Sequence, residues 1–214
     1  MLMSQEQPLF VHKVETPRKG REQYPRKKLK VLSLIGDEVK PYLQRLWEWL
    51  LTFRPYTNWG ETGHTVDGLV GWMFFHNFLL VDQPKSKYGS AVLVDFTTGD
   101  HLGVASLVPD DRGVAKEMED TFAVKPTGFW GGVYIKDVLH GAGLGSYLCG
   151  KLDDEIQTRV NETGQEEDWY LLTRNPAAIA IYVALGFEKF REDWHIKTFD
   201  VHETVFRKTY RRAP

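Results

Sequence analysis

The segment Val133-Tyr134-Ile135-Lys136-Asp137-Val138-Leu139-His140-Gly141-Ala142-Gly143-Leu144-Gly145-Ser146 constrains this chain more than any other. Phe129 to Ile135 is rich in aromatic and β-branched residues and reads as a strand. After Gly145, the residues Leu148, Leu152, Ile156 and Val160 keep a strict i, i+4 spacing, one face of a helix of about four turns. Three glycines in five residues lie between the two, so a strand turns sharply into a helix. Glycine lets backbone come close to a ligand, and the first N–H groups of a helix have no partner inside it. That combination is an anion site, and a pyrophosphate is the expected guest.

Two phosphate-binding patterns fit poorly. A dinucleotide fingerprint needs a third glycine where Ser146 stands, and it opens its domain, whereas this turn comes two-thirds along the chain. Gly145 to Lys151 has the spacing of a P-loop, but Leu152 replaces the metal-binding hydroxyl and the residues lie within the helical stripe.

The whole chain, 214 residues and 42% hydrophobic, has the length expected of one domain. A net charge of -2 excludes a bulk electrostatic nucleic-acid binder. Cys149 is alone, which excludes an internal disulfide and a cysteine-rich zinc site. The scattered histidines form no HxxxH pair, so no metal is expected. The N-terminus lacks the apolar core of an export signal, and the run Leu69 to Val81 is too short to cross a bilayer. A cytoplasmic protein without membrane or nucleic-acid partners is expected. Residues 1–28 read as a basic, loosely ordered arm, and residues 29–210 as the folded domain.

Within that domain a strand is expected from Leu29 to Leu34. Helices follow from Asp37 to about Phe53 and over Val66 to Leu80, and then a hairpin over Ala91 to Leu107. Segment 109–120 is an acidic loop or short helix. Trp169 to Thr173 is a strand, Asn175-Pro176 starts a helix, Gly186 ends it, and two strands follow near 187–196 and 201–210. This alternation argues for one sheet with helices on its faces.

The helix after Asn175 carries Asn175-Pro176-Ala177-Ala178-Ile179-Ala180-Ile181-Tyr182-Val183-Ala184-Leu185-Gly186-Phe187, of the form N-x-x-A-x-x-x-Y-x-x-x-G-F. It stands one helix and one strand after the His140–Gly145 turn. Together the two segments resemble the GNAT superfamily of N-acetyltransferases, whose loop is written (R/Q)-x-x-G-x-(G/A). The resemblance implies an α/β fold of mixed α+β type in a single domain. Its sheet would be mixed but mostly antiparallel, with six to seven strands, helices on both faces and a splay between the fourth and fifth strands.

The resemblance also implies a role for each matching position. Val133, Tyr134 and Ile135 would offer backbone to the pantetheine arm of acetyl-CoA. His140, Gly141, Ala142, Gly143, Leu144, Gly145 and Ser146 would hold its pyrophosphate. Asn175 would touch the pantetheine side, and also suits a helix N-cap. Tyr182 would protonate the departing thiolate, and also suits a packed core position. The chemistry is sound on its own terms. Aminolysis of a thioester passes through a tetrahedral oxyanion that fixed N–H donors stabilise, and a tyrosine stays protonated at neutral pH.

His140 stands where the family has Arg or Gln, and Asp137 where it often has Pro. The base is not identified. Glu117, Glu119, Asp120 and His101 are nearest by topology, each also suited to a solvated surface. Aromatic residues between Trp47 and Phe78 suit a small organic amine, or simply cover the sheet. The expected activity is acetyl transfer to a small-molecule primary amine by direct attack, with a homodimer as one admissible assembly. The alternatives are a peptide or protein amine, drawn by the acidic stretches 109–120 and 153–168, or a non-catalytic acyl-CoA sensor.

Overall fold

The computed structural model describes residues 29–34, 88–95, 98, 100–109, 113–135, 139–198 and 200–213. The two helices expected between Asp37 and Leu80, the aromatic residues around them and the arm 1–28 lie outside the described residues, as does Asp137. The described elements are β1 (Leu29–Leu34), β2 (Gly89–Asp95), β3 (Asp100–Val108), α1 (Val114–Phe122) and β4 (Gly128–Ile135), followed by α2 (Leu144–Thr163), β5 (Glu167–Leu172), α3 (Pro176–Ala184), β6 (Glu188–Ile196) and β7 (Val201–Tyr210).

The strands form one seven-stranded sheet in the order β1-β2-β3-β4-β5-β7-β6. Every neighbouring pair is antiparallel except β4 and β5, which run parallel. Neighbouring residues along a strand face opposite sides of the sheet. Leu107, Trp130, Trp169 and Phe206 accordingly pack on one side, with Leu148, Leu152, Ile156 and Val160 of α2. Val108, Phe129, Tyr170 and Val205 pack on the other, with Val114 and Met118 of α1. The helices therefore cover both faces.

The stripe of α2 accounts for its docking. Leu148, Leu152, Ile156 and Val160 are all at most 3% exposed, and each contributes about 1.5–3 kcal/mol by burial. The helix runs past this stripe to Thr163, longer than four turns, and stops where Gly164 turns left-handed at φ 68°. The Arg159 guanidinium fastens its last turns to β5 with two bonds to Glu167 of 3.1 and 2.7 Å. Glu167 in turn accepts from Trp169 Nε1 at 2.7 Å. Of segment 109–120, the residues from Val114 onward form the helix α1, whose N-cap is Gly113 at φ 94°.

Candidate active site

The site begins with how little β4 and β5 share. They pair only through Gly128↔Trp169 and Phe129↔Tyr170. β4 continues to Ile135 and β5 to Leu172 without further pairing, so the sheet forks beyond Phe129. β4 also bulges against β3. Val133 pairs with Ala105 and Trp130 with Leu107, which sets Gly131 and Gly132 opposite Ser106 alone. Gly132 is required there by space. An idealised Cβ would lie 2.2 Å from Tyr134 Cε2 and 2.6 Å from Tyr134 Cζ, because the tyrosine ring lies back over the glycine.

The bulge and the register set the direction of the backbone groups. A Cβ on Gly103 of β3 would lie 2.7 Å from the Tyr134 carbonyl oxygen, so that carbonyl points toward β3. Alternation then turns the N–H and C=O groups of Val133 and Ile135 the other way, into the fork. His140 agrees with this direction. Its Nε2 lies 2.9 Å from the Ile135 carbonyl oxygen. As the donor in that bond, Nε2 carries the proton and ties the loop back to the end of the strand.

The loop itself is a tight turn. The Ala142 amide donates to the Leu139 carbonyl at 3.2 Å, and Gly141 and Gly143 are left-handed at φ 80° and 77°. Gly143 is the N-cap of α2, no side chain caps it, and the first turn holds no acidic residue. The first intrahelical bond runs from the Tyr147 amide to the Gly143 carbonyl at 3.1 Å. The amides of Leu144, Gly145 and Ser146 precede it and carry the positive end of the helix dipole. Gly145 lets this helix start sit close to its neighbours. A Cβ there would be 3.7 Å from Ile135 Cγ1 of β4 and 3.2 Å from Ile181 Cδ1 of α3.

α3 brings the second motif to the same place. Asn175 is its N-cap, and Oδ1 accepts from the Ala177 amide at 3.0 Å. Tyr182 is 6% exposed. Its ring makes T-shaped contacts with Trp130, at a centroid distance of 6.0 Å, and with Phe187, at 5.8 Å. Burial pushes its hydroxyl well above the ordinary tyrosine pKa, and the nearby Cys149 adds to the rise. The fork, the loop and Tyr182 thus adjoin through Ile135, Ile181 and Trp130, so the sequence-predicted positions Val133 to Ile135, His140 to Ser146 and Tyr182 border one region, while Asn175 stands two turns before Tyr182 at the start of α3.

Two features of the region were not singled out in the sequence. One is the Gly131–Gly132 bulge. The other is Trp130, the first β4 residue past the fork's apex, 4% exposed and in contact with Tyr182. Paired glycines inside a strand were the available signal for the first.

Two of the three carboxylates named as base candidates have other occupations. Glu117 accepts from the Lys197 and Thr198 amides at 2.9 and 3.2 Å and from Thr198 Oγ1 at 3.0 Å, fastening α1 to the β6–β7 turn. Burial raises its pKa, but these hydrogen bonds outweigh it and the net shift is downward. Asp120 pairs with Lys116 at 2.6 Å, and Glu119 is exposed on the same helix. In the stretch 153–168, Asp153 pairs with Lys208, Asp154 with Lys151, Glu166 with Arg211 and Glu167 with Arg159. Among the described residues no group of three or more His, Cys, Asp or Glu is placed to hold a metal ion. No described helix is long and apolar enough to cross a membrane.

Comparison with solved structures identifies the architecture. The chain is similar to the ribosomal-protein-S18-alanine N-acetyltransferase of Escherichia coli, at 16% identity over 87% of this chain and 96% of that one, with a TM-score of 0.51. It is also similar to a GNAT-family acetyltransferase of Bordetella pertussis (14% identity, 87% and 96% coverage, TM-score 0.55). A variant of the spermidine N-acetyltransferase of Vibrio cholerae matches at 14% identity, 86% and 94% coverage and a TM-score of 0.50. The fold is that of the GNAT superfamily of N-acetyltransferases. Within it, residues 112–196, from just before α1 to the end of β6, match the family described as FR47-like protein. No curated protein sequence gives a significant match.

Proposed function

We propose that this chain transfers an acetyl group from acetyl-CoA to the primary amine of a small molecule. The observation that carries the reading is the uncapped start of α2 beside the end of β4, at the open side of the fork. The amides of Leu144, Gly145 and Ser146 suit a diphosphate, and Gly141, Ala142 and Gly143 shape the turn that presents them. The inward groups of Val133 and Ile135 suit the amides of a pantetheine arm laid along β4. His140 contributes by holding the loop, since its Nε2 is engaged with Ile135. Asn175 has its Oδ1 in the cap, which leaves its NH2 group for the same arm.

An arm running up the fork brings its thioester toward the apex, where Tyr182 packs on Trp130. The amine nitrogen attacks the thioester carbon, a C–N bond forms and the C–S bond breaks. The thiolate takes the proton of Tyr182, and the amine loses its proton to a base or to water. Inward-facing backbone N–H groups stabilise the oxyanion between these events. A small amine is favoured over a basic peptide because at least seven of the ten described carboxylates of the acidic stretches are matched by neighbouring cations or amides.

Calorimetry with acetyl-CoA and a thiol-release assay over small amines and peptides test this reading. Binding of acetyl-CoA and turnover of one class of small amine are the expected results. Turnover of peptides alone would move the substrate class, and tight binding without turnover of any amine would make the chain a sensor. Failure to bind acetyl-CoA or any longer acyl derivative would remove the reading altogether.

A further inference from the structure

We propose that Lys208 and Asp153 form a positioning pair that fixes the C-terminal turn of α3, and with it Tyr182, against α2 and β7. The inference rests on the reading of Tyr182 as the group beside the thioester. α3 docks through Tyr182 and the partly buried Ala178, Ile179 and Ile181, and its C-terminal turn needs a further anchor to set where Tyr182 lies. Of its nine residues only Tyr182 is buried, and a helix of that length is marginal by itself.

Its end is held by polar contacts as well. Lys208 Nζ donates to the carbonyl of Leu185, the C-cap of α3, at 2.6 Å, and to Asp153 Oδ1 at 2.5 Å. Tyr210 Oη donates to the same carboxylate oxygen at 2.5 Å. Lys208 stands opposite Trp169 of β5, inside the sheet rather than at its edge. Asp153 lies about 13 Å along α2 from Leu144, so one junction spaces the amides at the start of α2 from the end of α3. A cation at a helix C-terminus also meets the negative end of its dipole.

The junction reaches Tyr182 through the backbone. The Leu185 amide donates to the Tyr182 carbonyl at 3.1 Å, and the Phe187 amide donates to it at 3.0 Å. The residue whose carbonyl Lys208 holds is thus bonded through its own N–H to Tyr182. The Lys208 and Asp153 side chains are only 18% and 19% exposed, so little water is available to replace a lost partner.

Lys208→Met keeps the stem and removes the charge and both bonds. In protein labelled with 3-fluorotyrosine, Tyr182→Phe identifies the fluorine resonance of residue 182. In Lys208→Met that resonance moves or broadens, whereas that of Tyr147 on α2 does not. With acetyl-CoA and an amine the wild type accepts, kcat falls about tenfold while KM for acetyl-CoA stays within about twofold. Lys208→Arg restores part of the loss, and adding Tyr182→Phe to Lys208→Met lowers kcat no further than Tyr182→Phe alone. An unmoved Tyr182 resonance, or losses that multiply in the double variant, overturns the pair. A moved resonance together with full kcat in Tyr182→Phe upholds the pair and instead defeats the reading of Tyr182 as the acid. Should Lys208→Met fail to fold, the isosteric Asp153→Asn takes its place with the same readouts.

Discussion

Tyr182 owes its character to its surroundings. The ring is enclosed by Trp130 and Phe187, and burial raises the hydroxyl pKa above the ordinary 10, with Cys149 adding to it. A raised pKa keeps the proton on the oxygen to higher pH, so the acid form persists through the physiological range. The kcat profile is therefore expected to show no falling limb from this residue below about pH 10. Tyr182→Phe keeps the packing, and is expected to lower kcat about a hundredfold with KM for acetyl-CoA unchanged. A variant with wild-type kcat would remove the hydroxyl from the reaction. Cys149 makes the opposite case. Burial pushes its thiol up to about 12, with Asp153 adding to the rise. Thiolate is the reactive form, and here it is scarce. Cys149→Ala should keep its kcat, and alkylation of the native protein by iodoacetamide near pH 8 should wait for unfolding. Rapid labelling of the folded protein would show the thiol to be open.

Among the elements, α2 is both the most legible and the most exacting. Its apolar stripe and the Asn175-Pro176 start of α3 are local patterns, so their helices follow from the residues themselves. The fork and the junction at Asp153 depend on register between segments far apart in sequence, and no local pattern encodes them; the fork was expected only through the family resemblance, and the paired glycines 131 and 132 were the local signal of the bulge. The ambiguity of 109–120 has a similar origin, since α1 starts at a left-handed glycine without a side-chain cap. The acidic stretches looked like a surface for a basic partner because cations such as Lys208 and Arg211 lie some fifty residues downstream. The glycine turn was legible, but its geometry was not. Gly143 sits at φ 77°, a conformation that strains a β-branched side chain. Gly143→Val should therefore distort the amide cradle and weaken acetyl-CoA binding about tenfold or more, while the remainder of α2 keeps its packing. Calorimetry returning wild-type affinity would contradict the assignment of the cradle.

For the molecule as a whole, the fork means that one sheet is made of two halves joined by a short seam. β1 to β4 form one half and β5, β7 and β6 the other, and the strand pairing between them is confined to Gly128↔Trp169 and Phe129↔Tyr170. The seam is extended by the Thr127 amide donating to the Asp168 carbonyl at 2.8 Å, and by the Asp168 amide donating to Thr127 Oγ1 at 3.0 Å. Gly128 lies at its centre, and even one methyl group has no room there. A Cβ would come within 2.8 Å of Trp169 Cζ3, 2.8 Å of the Val108 carbonyl oxygen and 2.9 Å of Tyr88 Cε1. Because one of those atoms is backbone in β3, relief requires the strands themselves to move. Gly128→Ala should lower stability by about 2 kcal/mol, a fall in Tm of roughly 4–8 °C for a chain of this size. It should also weaken acetyl-CoA binding, although every amide of the loop and Tyr182 itself remain in the chain, because the angle of the fork changes. Thermal unfolding and calorimetry on the same preparation decide the matter. A lowered Tm with unchanged affinity would mean that the cradle functions independently of the seam. An unchanged Tm would mean that the two halves are held together by α2 and not by the strand contact.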